Sequence, residues 1–279
     1  MRHIDKKLHK RQGEQIVSEF LARFYQRYNC YPDDMYAAFS KEYDDSHSHA
    51  IFRKRLIDEV LIPEQDGLCC YCLRRLSGCI KPNVEHIMPN HAADKNELDL
   101  YRKRPTELNG LPHSDDFKST ASGFNPPHPH SIAYQNLVVS CDGLLFEESK
   151  KPVCCNLKRR HSFVPPFILY PDIQETFQYW PDGTSEWIQD PEPPESQTNA
   201  VRILKLNQFI LKMVRRIWFF CTDNGLNPHG GNRNEIINTM FGFLDTGEAN
   251  EANMLMNFKK DKYWNLLLQY DAFATIRHI

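Results

Sequence analysis

Between Cys69 and Cys155 the chain gathers residues that bind metals and move protons. Seven of its nine cysteines fall in that stretch. Cys69 and Cys72 form a Cys-x-x-Cys, a spacing that lets two thiolates reach one ion from a tight turn. A second pair, Cys141 and Cys155, would complete the four ligands of a closed structural zinc site. The doublets Cys69-Cys70 and Cys154-Cys155 leave open a register in which Cys70 and Cys154 serve instead. Buried free thiols are the plainer reading, but doublets beside turns fit a core poorly. Cys30 and Cys221 lie in helical patterns and read as core residues.

Glu85-His86, Asn136 and Asn156 sit among these cysteines. A histidine near neutral pKa can take a proton from water. Oxygen ligands from Glu and Asn suit a hard divalent ion, which stabilises a phosphorane-like state and a departing oxygen. Together these are the parts of phosphodiester hydrolysis. Each residue also has a plain structural reading. A Glu-His pair is usually exposed surface, and an Asn at a turn or a helix start is usually a cap.

The order of motifs carries more than any single residue. Cys69-x-x-Cys72, Val84-Glu85-His86-Ile87-x-Pro89, Asn136-Leu137-x-x-Ser140-Cys141 and Cys155-Asn156-Leu157-Lys158 resemble the zinc-braced HNH endonucleases. Over roughly residues 60–220 the chain is also similar to the PtuB-type HNH subunits of Septu anti-phage systems, retron-associated ones included. That wider likeness takes in Tyr179-Trp180-Pro181-Asp182-Gly183, Ile203-Leu204-Lys205-Leu206-Asn207 and Arg215.

The resemblance implies a ββα-metal unit of hairpin, metal and helix. It makes His86 the general base, and Glu85 and Asn156 the ligands of magnesium or manganese. Asn136 becomes the middle motif residue that holds the histidine or its loop. Cys69, Cys72, Cys141 and Cys155 become a zinc brace. The implied partner is a PtuA-like, SMC-related ATPase, with a retron reverse transcriptase and its DNA product as further candidates. This chain carries no Gly-x-x-x-x-Gly-Lys loop of its own. DNA is the default substrate of the motif. Structured RNA such as tRNA is the alternative, since a metal-activated water needs no 2′-hydroxyl. A non-catalytic zinc-ribbon adaptor would share the cysteines without needing Glu85, His86 or Asn156.

Two features strain the pattern. The stretch Asp142 to Cys154 separates ligands that are usually only a few residues apart. Closure entropy grows slowly with loop length, so a looped insertion is tolerable. Neighbours on an ideal strand also face opposite ways. If Glu85 and His86 share one site, the strand must end or twist there, and Pro89 is consistent with that.

The elements that must position these residues are mainly helical. The spacing predicts a helix over 14–28 and a second from about Ala50 to Leu61, ended by Pro63. Residues 67–90 read as a turn-rich hairpin ending in a strand, and Asn136–Val139 as a second strand before a helix start at Asn156. Residues 91–133 read as a long polar loop, functional or mobile. Phe177–Trp180 and Glu186–Ile188 flank a hairpin turn, and 191–194 reads as a linker. A helix from about Asn199 to Phe220 puts Arg202, Lys205, Lys212, Arg215 and Arg216 on one side, to meet phosphates or an acidic partner. The aromatic-rich region from Met254 to Leu268 reads as core or as a partner surface. The expectation is an α+β, mainly α-helical chain: an N-terminal helical region (1–62), an HNH core (63–165, with insertion 91–133) and a hairpin plus helical region (166–279).

Composition is that of a globular protein, with 41% hydrophobic and 25% charged residues. The formal net charge of −2 gives no global pull on a polyanion, so nucleic acid must be met by local basic surface. Lys158, Arg159 and Arg160, with Lys150, Lys151 and His161 nearby, are the candidates, although a solvated helix face is the usual meaning of such a run. No stretch reaches the length of a membrane span, and the charged N-terminus lacks the apolar run of a signal peptide. A cytoplasmic protein with reduced thiols is expected.

Overall fold

The computed structural model describes residues 1–41, 51–78, 82–90, 95–120, 123–146, 152–159, 162–188, 195–244 and 249–276. Cys79, Lys150, Lys151, Arg160, His161 and the predicted linker at 191–194 lie outside them. The molecule is α+β and mostly helical, and its described strands form two small antiparallel sheets.

Helix α1 (Lys10–Tyr28) buries Ile16, Val17, Phe20 and Leu21, one face at helical spacing. Asn29, at φ 53°, ends it in the left-handed conformation by donating its N–H to Tyr25 O. After α2 (Met35–Lys41), α3 (Ile51–Arg55) enters a π-helical stretch, Leu56–Leu61, and then α4 (Ile62–Glu64). Pro63 therefore does not end this helix as predicted. The Ile62 N–H reaches back to Ile57 O, and this wider turn relieves the clash a proline ring makes in a regular helix.

Strand β1 (Asn83–His86) pairs antiparallel with β2 (Leu137–Ser140), with Glu85 opposite Val138 and His86 opposite Leu137. The insertion between them is more ordered than a polar loop. It holds α5 (Lys95–Arg102) and α6 (Ser114–Thr120). The short α7 (Asn156–Arg159) follows β2, and α8 (Ile173–Thr176) leads into the predicted hairpin, β3 (Phe177–Tyr179) with β4 (Ser185–Trp187).

The single helix predicted over 199–220 is two, α9 (Glu195–Ile203) and α10 (Phe209–Asp223). Carbonyls at the break have partners outside the helix: Leu204 O accepts from Cys155 N, and Leu206 O accepts from the Arg215 side chain. Lys205, at φ 54°, makes the turn. The predicted basic face is dispersed. Arg215 is buried and also donates to Gly183 O, while Lys212 pairs with Asp182 and Arg216 with Glu251. Gly183 has no room for a side chain, because a Cβ there would sit 1.9 Å from Lys212 O.

Helices α11 (Arg233–Phe241), α12 (Ala249–Asn257) and α13 (Asp261–Leu268) complete the molecule. Leu255, Phe258, Trp264, Leu266 and Leu267 are buried, so most of the aromatic region is core. No helix among the described residues is long and apolar enough to cross a membrane.

Candidate functional site

The cysteine cluster is assembled from three separate segments. Cys69 and Cys72 lie in a knuckle whose ends are joined by a bridge between Leu68 and Arg75, with Leu73 at φ 64° making the reversal. Cys141 follows β2, and Cys155, at φ 49°, directly precedes α7. Their four sulfur atoms lie within 4.8 Å of one another and are fully enclosed. Cys69 Sγ is 3.9 Å from Cys155 Sγ, and Cys72 Sγ is 3.8 Å from Cys141 Sγ. An ion bonded tetrahedrally to four sulfurs at about 2.3 Å would hold them about 3.8 Å apart, so the set fits a metal such as zinc. Cys70 and Cys154 are buried nearby but are not among the four.

The insertion that stretched the second pair is pinched at its base. Leu144 bridges Val153, and Cys154 N donates to Gly143 O. Gly143 adopts φ 75°, and a Cβ there would lie 2.6 Å from Cys154 O, so glycine is required. Cys141 and Cys155 are thus neighbours in space across a closed loop. The run Glu147–Lys151 lies outside the described residues.

The knuckle is gripped from far along the chain. Tyr270 Oη donates to Cys72 Sγ at 3.7 Å, and burial pushes this hydroxyl well above its usual pKa, so it keeps its proton. Arg74 Nε donates to Gln269, Arg75 N donates to Gln269 O at 2.7 Å, and Arg75 Nε pairs with Asp271.

Glu85 and His86 stay on a regular strand and part to opposite faces. Glu85 turns inward, 7% exposed, and its Oε1 accepts from Arg159 at 2.6 Å. Burial pushes its carboxyl up, against the pull of the Arg159 guanidinium. His86, half-buried, turns the other way. Its ring stands edge-on to Tyr36 at 4.3 Å between centroids, and its Nε2 is 2.9 Å from Ser131 O. A carbonyl only accepts, so Nε2 carries a proton, which in the neutral ring puts the lone pair on Nδ1. Ser131 also lines an open cleft of about 260 Å³ with Asp33, Asp34, Asn90, His113 and His130.

Asn136 is fully buried and spends its amide on main chain. Oδ1 accepts from Met88 N at 2.6 Å, and Nδ2 donates to Met88 O and His130 O. It ties the exit of β1 to the end of the insertion. His128 and His130 hold that end from inside. Burial pushes both down to about 4, the neighbouring His113 contributing for His130. His128 Nε2 lies 3.0 Å from Ser18 Oγ of α1.

Asn156 opens α7 and is partly buried, and Lys158 is exposed. Arg159, expected on the surface, is only 4% exposed. Its reach inward follows from spacing, because it lies one helical turn after Cys155 and on the same side. The roles of Tyr36, Ser131 and Tyr270 carry no local signal. Among the described residues, the cysteine cluster is the one group of three or more His, Cys, Asp or Glu side chains converging on a metal-sized space. Glu85 does not fit the expected divalent-ion role in this arrangement, since a cation would compete with a buried guanidinium for its carboxylate.

Comparison with protein-family models, with curated proteins and with solved structures returned no match.

Proposed function

We propose that this protein is an HNH-type endonuclease that hydrolyses nucleic-acid phosphodiester bonds, with His86 as general base and zinc in the Cys69, Cys72, Cys141, Cys155 cluster. The observation that carries the reading is the tethered histidine at the end of β1. With its Nε2–H given to Ser131 O, the neutral His86 ring has Nδ1 as its basic atom, the one that would take a proton from an attacking water. Tyr36 packs against the ring and limits its rotation. Asn136 fixes the main chain that follows the strand. Magnesium or manganese, expected of this class of enzyme, supplies charge stabilisation to the transition state when bound. Because Glu85 is committed to Arg159, no step is assigned through that ion.

DNA is the proposed substrate, and structured RNA is its alternative. The proposed setting is an anti-phage complex with a PtuA-like ATPase and, in a retron context, a reverse transcriptase and its DNA product. Lys158, exposed on α7, is available for phosphate contact. One observation favours a non-catalytic adaptor as the second reading: Glu85 and Arg159 neutralise each other inside the protein.

The test is cleavage of DNA and RNA by the purified chain with its partner and magnesium, wild type against His86→Ala. Wild-type cleavage, abolished in a folded His86→Ala protein, is expected. Undiminished cleavage by that variant would remove His86 from its role, and an inert wild-type complex would favour the adaptor. Metal analysis should give about one zinc per chain.

A further inference from the structure

Arg159 converges on the residues around His86 from the opposite side of β1. Its Nη1 donates to Glu85 Oε1 and to His86 O, both at 2.6 Å, and to Tyr71 Oη at 3.0 Å. Its Nη2 donates to Ile87 O at 2.7 Å. Consecutive carbonyls at the end of the strand are therefore held by one planar group, a geometry that the rigid guanidinium fork supplies and an ammonium does not. Arg159 N also bonds to Cys155 O, and Cys155 Sγ lies in the cysteine cluster. One helical turn thus has a metal-binding thiol at its start and a grip on the His86 backbone at its end.

We infer that Arg159 is a positioning residue: through the turn Cys155–Arg159, the filled cysteine cluster fixes where the backbone of His86 and Ile87 stands. The inference rests on the reading of His86 as the base. Arg159 touches no solvent-side ligand, so its effect on a reaction runs through His86. Glu85 is its counter-ion in this arrangement. Among the other partners of Arg159, Tyr71 and the Ile87 carbonyl are also internal.

The geometry has consequences that do not depend on catalysis. In the zinc-loaded full chain, Arg159→Met should retain the metal while the His86 ring resonances shift or split and amide exchange at Ile87 and Met88 accelerates at least about tenfold. Arg159→Lys keeps the charge but loses the fork, and should fall between. If Arg159→Met does not fold because Glu85 is left unpaired, the charge-free double variant Glu85→Leu, Arg159→Met removes that cause and should show the same displaced His86. Where the wild type cleaves, kcat should fall on the order of 100-fold with KM nearly constant, as expected for a misplaced catalytic group. Unchanged His86 resonances and Ile87 exchange in Arg159→Lys and in the double variant would overturn the proposal. So would a rise in KM at constant kcat, which is the signature of a lost phosphate contact. If the wild type cleaves nothing, the nuclease reading fails by itself and the resonance and exchange data still decide the role of Arg159.

Discussion

The two faces of β1 are built on different principles. Behind Glu85 everything is closed: a buried ion pair, a tyrosine hydroxyl, main-chain carbonyls and, one turn away, the cysteine cluster. On the side of His86 stand the edge of Tyr36 and the carbonyl of Ser131, a residue that also lines an open cleft. Adjacent residues in the sequence therefore have unlike duties. The alternation of a strand sends one inward to Arg159 and turns the other toward Tyr36 and Ser131. A motif that names both residues does not imply that both touch the same ligand.

The contrast can be broken most forcefully at the cysteines. Cys155→Ser should abolish metal binding and folding together, since structural zinc in small sites contributes ~10 kcal/mol or more at neutral pH. Metal content and a thermal melt would show it, and a folded, metal-free protein would sink the claim. Next comes the ion pair. Arg159→Met alone should cost ~3–5 kcal/mol in chemical denaturation, because Glu85 is left buried and unpaired. The double variant Glu85→Leu, Arg159→Met should recover most of that loss. Equal losses in the single and double variants would mean that charge is not the cause.

Acid tests the other face. His128 and His130 are held at about 4 in the folded protein against 6.5 for a free side chain. The unfolded chain therefore takes up protons first as pH falls. Stability from this source is complete above about pH 6.5, declines down to about pH 4 and is flat below that, by up to ~3 kcal/mol for each histidine. His128→Gln should remove part of the slope in a pH series of denaturant melts. The smallest effect on stability belongs to the residue with the largest proposed role. His86→Ala should change stability by less than ~1 kcal/mol, as expected where few buried contacts are lost, while removing cleavage. A large destabilisation would place His86 with the structural face instead.

Much of this arrangement was legible in the residues. Cys69, Cys72, Cys141 and Cys155 meet as the Cys-x-x-Cys spacing and motif order suggested. The hairpin around Gly183 followed from turn chemistry. Helix α1 followed from period, because Ile16, Phe20 and Leu21 repeat at helical spacing over a long run. The misreadings share a cause. The break between α9 and α10 depends on outside donors, Cys155 N and the Arg215 side chain, and the burial of Arg159 and Arg215 on carbonyls supplied by other segments. A run of basic residues looks the same whether it faces water or a ring of carbonyls. The helices of 91–133 were missed because they are short, 8 and 7 residues, and stand among polar and proline-containing stretches, and Ser131 owes its role to tertiary placement alone.

The grip of residues 269–271 on the Cys69–Arg75 knuckle bears on the order in which the protein is made. All four thiols of the cluster leave the ribosome long before Gln269 and Tyr270 do. During that interval the nascent knuckle lacks its cover, and its sulfurs are open to an incoming ion and equally to an oxidant. The knuckle gains that cover only when Gln269, Tyr270 and Asp271 have been made and have folded back onto it.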